Sequence, residues 1–160
     1  MRALIQRVSS SSVEVDNKIV GSIKKGLVVF LGITHDDSDK EIDFISNKIL
    51  NLRIFGDDNT ENFEKSIIDI SGELLIISQF TLYGETKKGR RPSFIDSAKS
   101  EYAEPIYKNF INKIKEQNIK VETGIFGAKM RVNIVNEGPV TLMLDSLSKC
   151  FRYILSLIHI

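Results

Sequence analysis

The sequence predicts an α+β fold, a mostly antiparallel, barrel-like β-sheet with two main helices. Three observations predict it. Short apolar runs bounded by turn residues outnumber helical stretches, they do not recur as strand–helix–strand units, and apolar residues keep helical spacing in only two segments.

The first third reads as β structure. Residues 3–8, 13–15 and 19–23 are short apolar-rich runs, and Asp16-Asn17 predicts a two-residue hairpin turn between the last two. Residues 26–33, GLVVFLGI, are continuously apolar, as in a strand buried on both faces. Ser38 followed three residues later by Glu41 predicts a capping box, in which hydroxyl and carboxylate satisfy unpaired N–H groups of a helix start. Ile42, Ile45 and Ile49 then fall on one helical face. After a turn at Ser71-Gly72, residues 74–77 form another buried strand. The clearest helix covers 101–117, with a stripe of Ala103, Ile106, Tyr107, Phe110, Ile111 and Ile114. Pro105 predicts that it begins only shortly before that residue, because proline is tolerated in a first turn and not mid-helix. Val132 and Ile134 alternate with Arg131 and Asn133, and Val140, Leu142 and Leu144 alternate with Thr141 and Met143. These predict two late strands, joined through residues 136–141 as a turn at Gly138-Pro139.

A chain of 160 residues with no repeat, low-complexity tract or dividing linker fits one domain. With 42% hydrophobic and 27% charged residues it has the mix of a soluble globular protein. Its net charge of +1 sets up no global field toward a polyanion, so any nucleic-acid contact must come from a local patch. Cys150 is the single cysteine, which excludes an internal disulfide and fits a reducing compartment. No stretch is apolar enough for a signal h-region or a membrane span, so the expected location is cytosolic.

The common catalytic signatures are absent. His35 and His159 are the only histidines and have no metal-ligand spacing, so neither a metal nor a cofactor is expected. No phosphate-cradling glycine motif occurs. Asp36, Asp37 and Asp39 read as acidic residues favouring a helix N-terminus. Lys87-Lys88-Gly89-Arg90-Arg91 reads either as a solvated loop or as a phosphate-contact patch. Ser78-Gln79-Phe80-Thr81-Leu82-Tyr83 follows a buried strand. A loop there either aims N–H groups and hydroxyls into a pocket or satisfies a turn. Asn136-Glu137-Gly138-Pro139-Val140-Thr141 is either a hairpin connection or a rigid stretch whose bare main chain a ligand can approach closely.

SQFTLY at 78–83 and NEGPVT at 136–141, in this order, resemble the D-aminoacyl-tRNA deacylase family. MRALIQRV at the start, GLVVFLGI, NLRIF at 51–55, GRRPSF at 89–94 and FGAKM at 126–130 resemble it too, so the likeness runs from Met1 to about Ser146. The resemblance implies the family fold over 1–146 and a homodimer with cross-subunit active sites. It also implies hydrolysis of the ester joining a D-amino acid, or mischarged glycine, to the terminal adenosine of tRNA. A Gly-cis-Pro dipeptide, here Gly138-Pro139, would enter the other subunit's pocket, face the substrate α-amino group and leave no room for an L side chain. Ser78, Gln79, Phe80 and Thr81 would line the pocket around the reacting ester as the catalytic loop. Phe126 and Met130 match positions near the adenosine, and Gln6 and Arg7 match positions beside the pocket. An aminoacyl ester is already activated and a ribose 2′-hydroxyl adjoins it, so positioning and oxyanion stabilisation can suffice without a histidine base. No base is apparent to activate Thr81, which favours a positioning role. Residues 147–160 extend beyond the usual family end as an apolar segment of unassigned role. Two rivals stand: a non-catalytic nucleic-acid-binding module working through Lys87–Arg91, and a sister deacylase with a trans Gly-Pro bond.

Overall fold

Strand β1 (Arg2–Val15) organises the sheet. β6 (Arg131–Asp145) runs antiparallel to it from Arg2↔Asp145 to Glu14↔Arg131. β3 (Gly26–Gly32) pairs with its first half and β2 (Lys18–Ile23) with its second, both antiparallel. β4 (Glu73–Ser78) then adds to β3 and β5 (Lys120–Thr123) to β4, both parallel. The structure is a computed structural model that describes residues 1–57, 59–60 and 62–147; Cys150, His159 and nearly all of the expected 147–160 extension lie outside the described residues. The six strands form one sheet in the order β2-β1-β3-β4-β5, with β6 against β1. Three pairings are antiparallel and two parallel. The sheet curls until its ends meet: a Cβ on Gly21 of β2 would lie 2.8 Å from the Thr123 carbonyl of β5. The fold is the expected α+β, barrel-like architecture.

Helix α1 (Asp39–Asn51) and helix α2 (Ser100–Lys115) cover one face of the sheet. Alternate residues of β3 and β4 enter different clusters. Leu27, Val29, Leu31, Leu74 and Ile76 meet the helices, while Val28, Leu75 and Ile77 join Val8, Val13 and Ile23 on the opposite face. Burial on both faces accounts for the unbroken apolar run of 26–33. Each fully buried side chain such as Phe55, Phe110 or Ile45 contributes about 1.5–3 kcal/mol by leaving water. The capping box forms: the Glu41 carboxylate accepts from the Ser38 N–H at 2.8 Å and from its hydroxyl at 2.9 Å. Asp16 and Asn17 take positive φ values of 50° and 61°, as a tight hairpin turn requires.

Two local expectations need correction. The runs 3–8 and 13–15 are one strand, because the serines between them join the ladder to β6, with the Ser11 hydroxyl donating to the Asn133 carbonyl at 2.6 Å. The two late strands are likewise one. Residues 131–136 and 141–145 both pair with β1 in the same sense, so the chain does not reverse at Gly138-Pro139 but bulges out opposite Arg7. Helix α2 begins at Ser100, one residue before the expected start at Glu101, and so holds Pro105 inside it. That first turn is held from outside, by Tyr102 donating its hydroxyl to the Asp37 carbonyl at 2.7 Å and by burial of Ala103.

Asp37 departs from the simple helix-start reading. Its carboxylate is buried, accepts from the Met1 ammonium at 2.8 Å and from the Thr34 N–H at 2.9 Å. Burial pushes its pKa up, opposed by those two donors. No helix among the described residues is long and apolar enough to cross a membrane.

Candidate active site

β3 and β4 run parallel and end together, at Gly32 and Ser78. Beyond them the chain turns into a short 3-10 helix, Phe80–Tyr83. Three contacts fix that turn. The Gln79 N–H donates to the Leu31 carbonyl at 2.8 Å, Arg2 donates to the Leu82 carbonyl at 3.0 Å, and the Arg2 guanidinium lies 4.6 Å from the Tyr83 ring centre. Arg2 is itself held by Asp145 at 3.0 Å. As the first groups of a helical turn, the Phe80 and Thr81 N–H have no partner among the described residues.

Beside this turn opens a cavity of about 570 Å³. Ser78, Gln79 and Phe80 form one wall, Phe126 and Met130 another, and Phe94, Ser97 and Lys99 close it near the start of α2. The rings of Phe80 and Phe94 meet edge to face with centres 5.0 Å apart. Phe126 leans on Tyr107, whose buried hydroxyl donates to the Ile76 carbonyl at 2.8 Å. Burial drives the Tyr107 pKa far upward, so it is a neutral donor. Lys99 is the only ionisable side chain among the described lining residues. Thr81, expected among the lining residues, follows Phe80 in the turn but is not one of them; its exposed hydroxyl accepts a hydrogen bond from the Gln79 amide.

The other four expected residues lie elsewhere. Gln6, Arg7, Gly138 and Pro139 belong to the β1–β6 bulge and do not line this cavity. The buried Arg7 guanidinium donates to the Ile54 carbonyl at 2.8 Å and the Glu137 carbonyl at 3.3 Å, supporting the bulge from beneath. The Asn136 amide closes its base when turned to satisfy every neighbour. Its nitrogen then donates to the Arg7 carbonyl at 3.0 Å, and its oxygen accepts from Gln6 at 3.0 Å and Thr141 at 2.9 Å. Held this way, Gly138 and Pro139 are exposed, their peptide bond is cis, and Gly138 has φ of +116°. The expected site residues therefore form two groups, a walled cavity and an outward-facing main-chain bulge.

Sequence reasoning missed Phe94, Ser97 and Lys99 as cavity walls and Arg2 as the anchor of the 3-10 turn. Arg2 carried a signal, a charge beside an apolar strand. For the others only GRRPSF pointed to the segment.

Residues 4–145 match the family model for D-Tyr-tRNA(Tyr) deacylase. A D-aminoacyl-tRNA deacylase of Thermosipho melanesiensis is 57% identical over 147 residues, covering 91% of this chain and 97% of its own. One of Clostridioides difficile is 53% identical over 151 residues, covering 94% and 100%. Among solved structures, a c-Myc DNA unwinding element binding protein superposes with a TM-score of 0.85 at 39% identity, covering 91% of this chain and 99% of that one.

Proposed function

The chain belongs to the D-Tyr-tRNA(Tyr) deacylase family, and on that premise we propose that it hydrolyses the ester bond of D-aminoacyl-tRNA, releasing tRNA and the free D-amino acid. The observation that carries this reading is the 3-10 turn after β4, with two uncommitted N–H groups beside a cavity that no described acid or base side chain lines except Lys99. Water adds to the ester carbonyl carbon, the carbonyl oxygen takes up negative charge, and the Phe80 and Thr81 N–H groups stabilise it. The bond from that carbon to the ribose oxygen then breaks, and the water proton leaves with the ribose hydroxyl. Removing one such donor in a hydrolase typically costs on the order of 10²–10³ in rate, so donor geometry accounts for a large share of the catalysis. Phe126 and Met130 take the terminal adenosine, and Ser78 and Gln79 position the aminoacyl group. The Thr81 hydroxyl, already accepting from Gln79, acts as a positioning group.

Selection of the D hand, with glycine also accepted, falls to the main chain of Gly138 and Pro139. Because these residues are absent from the cavity of their own chain, they act in the cavity of a second copy, making the enzyme a homodimer with two shared sites. The exposed apolar side chains Val135, Leu142 and Met143 on the same strand suit burial against that copy. A backbone wall presents one surface to every substrate, so rejection of L substrates depends on the Cα configuration and not on side-chain identity. The reaction takes place in the cytosol, and residues 1–146 constitute the catalytic domain.

Incubating purified protein with D-tyrosyl-tRNA and following release of uncharged tRNA tests the proposal. Steady turnover is expected. Binding of the tRNA without release of tyrosine would instead favour a non-catalytic nucleic-acid-binding module.

A further inference from the structure

The loop 87–91 plays no part in the reaction just described, and none of its side chains is buried in the fold. Its root is fixed: Glu85 and Ser93 exchange two backbone hydrogen bonds of 2.8 and 2.9 Å, and the Lys87 N–H donates to the Glu85 carboxylate at 2.8 Å. Beyond that root Lys87, Lys88, Gly89, Arg90 and Arg91 are all exposed. A Cβ on Gly89 would meet nothing within 4 Å. None of the four cations pairs with a described acid. Four like charges in five residues repel one another, and among the described residues no ion pair of their side chains offsets that repulsion.

The position of the loop gives those charges a use. Ser93 is followed directly by Phe94, a wall of the cavity and the partner of Phe80. Lys99 lines the same cavity, and the exposed Lys129 stands between Ala128 and Met130, which also line it. Glu85 at the loop's root, Asp96 and Glu101 are exposed acids of this neighbourhood, fewer than the cations Lys87, Lys88, Arg90, Arg91, Lys99 and Lys129, so the rim keeps a positive balance while the whole chain carries only +1. The residues between Glu85 and Ser93 can reach at most about 3.3 Å each from that root, which adjoins the cavity wall at Phe94.

Resting on the deacylase reading above, we propose that loop 87–91 is a docking surface for RNA phosphates. It takes the backbone of the single-stranded nucleotides that precede the terminal adenosine when that nucleoside sits in the cavity. Lysine and arginine neutralise phosphates and release counterions, an interaction independent of base identity. Such a surface serves an enzyme that must accept many tRNAs through their common 3′ end. It adds affinity for the polynucleotide and nothing to the chemistry of the ester.

The test compares two substrates, D-tyrosyl-tRNA and the minimal ester D-tyrosyl-adenosine. The variant Lys87→Ala/Lys88→Ala/Arg90→Ala/Arg91→Ala changes only exposed side chains and is expected to fold, which its melting curve checks. On the tRNA, KM rises roughly ten-fold or more at low salt and kcat is retained, while the slope of log KM against log salt shrinks by about 0.7 per lost contact. On the minimal ester, KM and kcat stay at the wild-type values. A control removes Lys40, Lys48 and Arg53 along the open groove of α1, far from the loop in sequence, and should leave both substrates unaffected. The proposal is overturned by an unchanged tRNA KM and salt slope, by equal losses on both substrates, or by an equal effect of the control. Failure of the wild-type protein on both esters would instead refute the deacylase reading itself.

Discussion

Replacing Gly138 with alanine perturbs the bulge at one point. At φ of +116° an L residue is strained wherever its side chain goes. The new Cβ would also lie 2.9 Å from the Arg7 Nη2, 3.0 Å from the Val140 Cγ2 and 3.1 Å from the Val140 nitrogen. The Val140 contacts belong to the bulge itself, and the Arg7 guanidinium is tied to two carbonyls, so none of the three yields freely. Backbone strain of this kind costs about 1–3 kcal/mol. For a domain of this size it lowers the melting temperature by about 2–4 °C per kcal/mol. The bulge relaxes by shifting, and misplacement of a positioning element by ~1 Å costs up to about 100-fold in rate. Gly138→Ala is therefore expected to stay folded, to melt a few degrees lower, and to lose about 10- to 100-fold in kcat/KM on D-tyrosyl-tRNA. Release of uncharged tRNA, measured beside a thermal melt of the same sample, reads both. A folded variant with wild-type kcat/KM would refute the placement of Gly138 against the substrate.

Other outcomes follow from the same geometry. Thr81→Ala should retain substantial activity, since its hydroxyl accepts from Gln79 and no base adjoins it; a loss near the ~10⁶-fold seen when a true nucleophile is removed would contradict this. Sedimentation under assay conditions should show a dimer, and a fully active monomer would contradict the shared site. Glu73 accepts from the Lys24 N–H at 2.8 Å and the Lys120 ammonium at 3.2 Å, and these hold its carboxyl below the ordinary range. A lowered folded value stabilises above the unfolded pKa of ~4.3 and is lost as the pH falls through the folded one. The stability gap between wild type and Glu73→Gln should accordingly narrow in acid, and a gap that widens there would contradict the sign.

Local signals carried most of the fold. The capping box at Ser38 and Glu41, the hairpin at Asp16-Asn17 and the stripe from Ala103 to Ile114 each depend on neighbours a few residues apart, and each formed. Features set by distant partners were not legible. The serines of 9–12 look like a break between strands, and only pairing with residues distant in sequence, 133–135 and 22–23, carries one strand across them. Gly138-Pro139 looks like a hairpin turn, and only pairing of both flanks with β1 turns it into a bulge. Asp37 became a buried ion-pair partner because Met1 reaches it across 36 positions. At the site, SQFTLY and FGAKM led to walls of the same cavity. Phe94 and Lys99 escaped notice because their role comes from how 93–99 folds back over β3, through Thr34 and Ser97, which periodicity does not encode.

The central claim is an esterase that reads the hand of the amino acid with main-chain atoms, and the hydrolysis of D- and L-tyrosyl-tRNA by the same purified protein tests it most directly. The account predicts rapid release of tRNA from the D substrate, with the L substrate persisting at its spontaneous rate of decay. Comparable hydrolysis of the two would contradict it.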